Sequence, residues 1–373
     1  MKNIVESIKN ITIGLNFLTG IFCVTIIALG SCTKDTDNNN DVYNSIKPKG
    51  KKPAWGLSIT PQMQTVIETL DTIAPIPINL LTPEQARLQP SAADAAIRVM
   101  HNFNIASLPV NIDTVGRDIP VTGGTIHLRI YTPKTGKPIY PIIVYYHGGG
   151  WIIATIDTYN SSAQALAEKT GAVLVSVEYR KGPEFKFPTA HNDAFEAYKW
   201  TLNNASSIKG DITKIAVAGE SAGANLAVTV SIMARDSGVH KPIHQLVIYP
   251  VASNNPATPS KLLFTNAKPL STPDLPWFLG YYLNTPAESA NYLISLVNAN
   301  LNGLPKTTII AAELDPLQSE GKTLSDKLQA AGVNTLYKLY IGVTHEFFGM
   351  ASVIPEAKDA QNLATAELKK AFE

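Results

Sequence analysis

The sequence predicts an α/β fold, a mostly parallel central sheet flanked by helices, with further helical segments over one end. Three observations carry this. Short runs that are almost continuously apolar recur from residue 140 onward, as strands buried on both faces do. Helix-like segments lie between several of them, which is the alternation of a parallel sheet. The chain has 373 residues, 45% hydrophobic and 16% charged, so a large core can be filled. A net charge of +1 leaves no electrostatic case for a nucleic-acid partner. No internal repeat stands at a fixed spacing, and oligomeric state leaves no mark in the sequence.

Taken in order, the chain opens with Lys2 and Lys9 ahead of an apolar run from Ile11 to Leu29, closed by "LGSC". A basic start, an apolar middle and small residues at the end read as a secretory signal. The ending Leu29-Gly30-Ser31-Cys32 resembles a bacterial lipobox. That resemblance implies a diacylglycerol on Cys32, cleavage after residue 31, and a lipid-anchored domain in the bacterial cell envelope, outside the cytoplasm. An uncleaved membrane anchor stays open, because the run is nearly the roughly 20 residues a span needs. The two cysteines are Cys23 and Cys32, so the mature chain would have none for an internal disulfide. Residues 32–52 are polar with few apolar positions and read as a flexible tether.

Residues 53–108 form a helical segment interrupted by prolines. "TPQMQTVIETLDTI" and "TPEQARLQPSAADAAIRVM" each open with Thr-Pro, a helix start with proline at the first position. The main domain, 109–373, follows. "TIHLRIYTP" (125–133) alternates as a sheet edge does. Buried strands are expected at 140–147, 172–179, 214–220, 244–250 and 307–313, with helices at 159–170, 190–204, 222–236 and 317–331. A strand at 334–340 and a helix at 354–372 complete it. The proline-rich stretch 256–304, with a helix at "PWFLGYYL", reads as a lid over one end of the sheet, 256–290 above all.

The strand "KIAVA" runs into "GESAG", Gly219 to Gly223, and the helix "ANLAVTVSIMAR" follows. A G-x-S-x-G between a strand and a helix is a nucleophile elbow, which presents the Ser221 hydroxyl on a sharp turn. A serine hydroxyl needs a base to take its proton, and the elbow's chain order is serine, acid, histidine. Asp315 stands just past a later strand, although a helix N-cap ahead of Pro316 would read the same way. His345 stands beyond the last strand. His240 and His244 flank the entry to a strand, at the opposite end of the sheet. "HEFFG" lacks the second histidine of a zinc motif, and no metal-ligand cluster or cofactor is implied. Gly148, Gly149 and Gly150 in "YYHGGGWII" present bare backbone after an early strand. Their N–H groups, with that of Ala222, suit the oxyanion formed when an ester carbonyl is attacked.

"HGGGW", "VSVEYRKGPEFKFPTAHNDAFEAYKW", "GESAGANLA", "AAELDPLQSEG" and "THEFFG" together resemble the hormone-sensitive lipase family of α/β-hydrolases, in order from about residue 125 to the end. The resemblance implies an α/β-hydrolase fold with a helical cap and cleavage of short- to medium-chain acyl esters. It implies Ser221 as nucleophile, Asp315 as acid and His345 as base. It also implies Gly148 to Gly150 with Ala222 as the oxyanion hole, the second and third glycines donating. Arg180 and Glu184 match its "YRLAPE" and are expected as a buried pair. Glu220 stands for Asp in the elbow, Ala224 for Gly, and Lys181 is charged where the family is apolar. Trp277, Phe278, Tyr281 and Tyr282 are expected either to line the acyl pocket or to pack the lid. The same triad would serve a peptidase or amidase. A non-catalytic receptor on this fold is the other alternative, and the presence of all three triad residues argues against it.

Overall fold

In a computed structural model, residues 41–107 and 109–373 are described; the apolar run and Cys32 lie outside the described residues. Eight strands form one sheet in the order β1-β2-β4-β3-β5-β6-β7-β8. They are β1 (Ile112–Val121), β2 (Gly124–Pro133), β3 (Tyr140–Tyr146), β4 (Val173–Glu178), β5 (Gly210–Glu220), β6 (His244–Ile248), β7 (Lys306–Leu314) and β8 (Thr335–Thr344). β1 and β2 pair antiparallel, as do β2 and β4, and every other neighbour is parallel.

The continuously apolar runs are buried on both faces, as their composition requires. In β3, Ile143 and Tyr145 join one core, while Ile142, Val144 and Tyr146 join the other. That two-residue period splits one strand between two cores. Helices Asn160–Thr170 and Pro355–Phe372 cover the first face, and Thr189–Asn203 and Ala222–Ser237 cover the second. The sequence pattern missed β1. Its middle is exposed on both sides, so no apolar alternation marks it, and it holds through its antiparallel ladder to β2.

Two expectations for the N-terminal segment need correction. The second helical run is two helices, Pro83–Leu88 and Ala92–Asn102. Gln89 precedes Pro90 and is extended at ψ 144, because the proline ring excludes the helical region for its neighbour. Ser91 then caps the next helix with Asp94. The tether expected over 32–52 is also docked before its end. Tyr43 and Ile46 are buried, the Tyr43 hydroxyl donates to the Ala351 carbonyl at 2.7 Å, and the N–H groups of Lys49 and Gly50 donate to Glu68 at 2.7 and 2.9 Å. Ile46 joins the core that helix Pro61–Ile73 covers, and the Gln62 amide of that helix donates to the Tyr43 carbonyl at 2.7 Å.

Candidate active site

Ser221 stands between β5 and helix Ala222–Ser237 with φ +57 and ψ −119, a conformation that L residues rarely adopt. Its neighbours explain how this is held. A Cβ on Gly223 would fall on the carbonyl oxygens of Tyr146 and His147, and one on Gly219 would fall on the Gly223 carbonyl. The elbow is therefore pressed against the end of β3, which only glycines allow. The Ser221 N–H donates to Ile248 O at 2.9 Å and ties the turn to β6.

β7 ends at Leu314, which places Asp315 at the same edge of the sheet. β8 runs on to Thr344, past the expected end at 340, and His345 follows directly. The three predicted residues meet. His345 Nδ1 lies 2.7 Å from Asp315 Oδ2, and His345 Nε2 lies 2.9 Å from Ser221 Oγ. All are buried, Asp315 completely. The other Asp315 oxygen accepts the Leu317 N–H at 2.8 Å, so both oxygens are used. Burial alone would lower the His345 pKa, but the Asp315 carboxylate beside it, with Glu346 and Glu220, raises it above the ordinary value.

Gly149 and Gly150 have φ +97 and +59, and a Cβ on them would meet the Ile153 carbonyl and the Phe278 ring. A Cβ on Gly148 would meet the Tyr159 hydroxyl. Both conformation and space demand glycine here. The N–H groups of Gly149, Gly150 and Ala222 donate to no acceptor among the described residues, although all three residues are buried. Unspent buried donors are uncommon. Gly149, Gly150, Ser221 and His345 line one cavity of about 630 Å³, walled by cap residues 70–94 and lid residues 266–279. Such a set can attack a carbonyl, shuttle a proton and receive an oxyanion.

Some expected contacts differ. Arg180 and Glu184 are not a pair. Arg180 forks onto the buried Asp193 at 2.6 and 2.9 Å, while Glu184 takes Arg87 of the cap at 2.7 and 2.8 Å, at the surface. The short turn between Arg180 and Glu184 carries their side chains to different neighbours. Of the four lid aromatics, Phe278 lines the cavity. Trp277 donates to Leu81 O at 2.9 Å and ties lid to cap, with Tyr281 edge-on to it. Tyr282 is buried, stacked on Trp151. Lys181 is accommodated by an ion pair with Glu178.

Sequence reasoning missed the side chains that hold the site. Arg87 donates to Ile152 O at 2.8 Å and Gly182 O at 2.6 Å, clipping the cap to the loop that carries the glycines. Glu220 accepts the hydroxyls of Tyr145 and Tyr249, and burial raises its pKa. Lys261 of the lid reaches the buried Glu320 at 2.6 Å. Nothing in local spacing marks these partners. His147 is also buried, stacked on Tyr179, and burial lowers its pKa to about 4, so it stays neutral.

A family model described as the alpha/beta hydrolase fold matches residues 143–349. Carboxylesterase NlhH of Mycobacterium tuberculosis is 35% identical over 259 residues, 68% of this chain and 79% of that protein. Ethyl acetate hydrolase of Pseudomonas putida is 29% identical over 79% of this chain and 92% of its own. The esterase structure from Pyrobaculum calidifontis superposes with a TM-score of 0.75 at 32% identity, covering 84% of this chain and 98% of that one.

Proposed function

We propose, from the premise that the chain belongs to the hormone-sensitive-lipase-like family of α/β-hydrolases and hydrolyses ester bonds, that it is a serine carboxylesterase working through Ser221, His345 and Asp315. The observation that carries this is His345, bridging Ser221 at 2.9 Å and Asp315 at 2.7 Å, with Ser221 and His345 lining the cavity.

In this mechanism His345 takes the Ser221 proton as the hydroxyl attacks the ester carbonyl. Asp315 holds the Nδ1 proton and stabilises the imidazolium. The N–H groups of Gly149, Gly150 and Ala222 receive the oxyanion. His345 then protonates the leaving alcohol, and water activated by the same base releases the acid. The substrate is a small ester with a short to medium acyl chain. The mostly apolar cavity of about 630 Å³ supports that size, as does the ethyl acetate hydrolase relative.

Gly149→Ala tests the oxyanion loop. Losing an aligned donor should lower kcat per folded molecule about 10²- to 10³-fold, with KM changed far less, since the neutral carbonyl gains little there. The added methyl meets the Ile153 carbonyl, so the melting temperature should also drop. A folded variant with wild-type kcat would remove this loop from the mechanism.

We propose further that the domain is held to the bacterial envelope by lipid on Cys32. Cys32→Ser should move the protein from the membrane to the soluble fraction with unchanged activity per folded molecule. Full retention in membranes would favour an uncleaved anchor.

A further inference from the structure

Acyl transfer leaves Glu346, a charged side chain of the cavity, without a task. Glu346 directly follows His345, and its backbone is left-handed, at φ +66 and ψ 8. Glutamate rarely adopts that region, and strained backbone gathers where a side chain must be aimed. The residue lines the same cavity as Ser221 and His345. Its Oε1 accepts the Tyr159 hydroxyl at 3.1 Å, and its Oε2 has no hydrogen-bond donor among the described residues. The Tyr159 hydroxyl also fills the space that a Cβ on Gly148 would need. The carboxylate is thus braced against the glycine loop.

The cations on the cavity wall are matched. Arg87 and Lys261 hold the carboxylates described above, Lys268 pairs with Asp71, and Lys181 with Glu178. Like Glu346, Asp94 and Asp274 have no cation among the described residues: each accepts from the serine three residues before it, and Asp274 Oδ1 is buried without a partner. Of the three carboxylates, only Glu346 directly follows a residue of the Ser221–His345–Asp315 set. Glu346 has no cation of its own among the described residues beyond His345, which must be neutral to act as base. Burial raises the Glu346 pKa, while His345 and the Tyr159 hydroxyl beside it act in the opposite direction.

We infer that Glu346 is a specificity-determining residue that favours esters carrying a protonated amine within a few bonds of the scissile carbonyl. This rests on Ser221 being the nucleophile. An ammonium group docked beside Glu346 would supply the missing cation and form a charge-assisted hydrogen bond in a partly desolvated site.

The test compares near-isosteric pairs. On the acyl side they are the nitrophenyl esters of β-alanine and butyrate. On the alcohol side they are 2-aminoethyl acetate and propyl acetate. Each kcat/KM is divided by the ester's alkaline hydrolysis rate. Wild type should prefer the charged member of at least one pair by about tenfold or more, the scale of a charge-assisted hydrogen bond. Glu346→Gln should remove most of that preference. Glu346→Gly, which suits the left-handed backbone, should do the same should the Gln variant fold poorly. No preference in either wild-type pair, or a preference that survives both substitutions, would overturn the inference. If wild type cleaves none of these esters, or Ser221→Ala cleaves them equally well, the assignment of Ser221 itself fails, and this inference with it.

Discussion

Ser221→Ala and His345→Ala will each reduce ester hydrolysis on the order of 10⁶-fold in kcat, and the double variant will be no slower than the worse single one. The reason is the 2.9 Å contact between His345 Nε2 and Ser221 Oγ. A serine without its base is a poor nucleophile, and a base without its serine has nothing to activate. Each removal therefore destroys the same step. Losses that multiply would mean that the two residues serve separate steps. A phosphonate ester should label Ser221 in wild type, and peptide mapping of the adduct to another serine would end the assignment. The fold should tolerate Ser221→Ala, because the left-handed turn is held by Gly219, Gly223 and the Ser221 N–H, not by the hydroxyl.

Asp315→Asn will cost about 10⁴-fold in kcat while leaving the protein folded. Both carboxylate oxygens accept here, one from His345 Nδ1 and one from the Leu317 N–H. An amide has only one acceptor oxygen. If that oxygen keeps the Leu317 N–H, the amide NH₂ faces Nδ1 and the imidazole proton moves to Nε2, toward Ser221. The base then points its proton at the group it should deprotonate. The pH profile carries a second signature. In wild type His345 titrates above its ordinary value, largely through the Asp315 charge. It must be neutral to act. Activity should therefore rise with pH through a limb lying above about 6.5 and be lost below it. Without the carboxylate that limb should move to lower pH. A limb that stays in place would show that Asp315 does not set the titration of His345.

Much of the site was legible in the sequence because its demands are local. Strands buried on both faces are mostly apolar, so β3 to β7 announce themselves. An elbow pressed against a neighbouring strand must have glycines at 219 and 223, and a loop with φ near +97 and +59 must have them at 149 and 150. Asp315 and His345 could be picked out because a parallel sheet delivers the ends of β7 and β8 to the edge where β5 ends. The break at Pro90 was missed, although the restriction that proline places on Gln89 is a local signal.

What the tertiary structure alone decided are contacts between residues far apart in the chain. Arg87 meets Glu184 across 97 positions, and Tyr43 reaches Ala351 across 308. Spacing encodes neither those meetings nor the strand order β1-β2-β4-β3-β5-β6-β7-β8. β1 is invisible to pattern because its exposed face demands no apolar residue. Tyr43 and Ile46 lie in a polar run whose local composition favours no structure, and they are buried because a receiving surface exists. Arg180 chose Asp193 over Glu184 for the same reason: a charge pairs with the opposite charge that packing brings within about 3 Å, wherever it stands in the sequence.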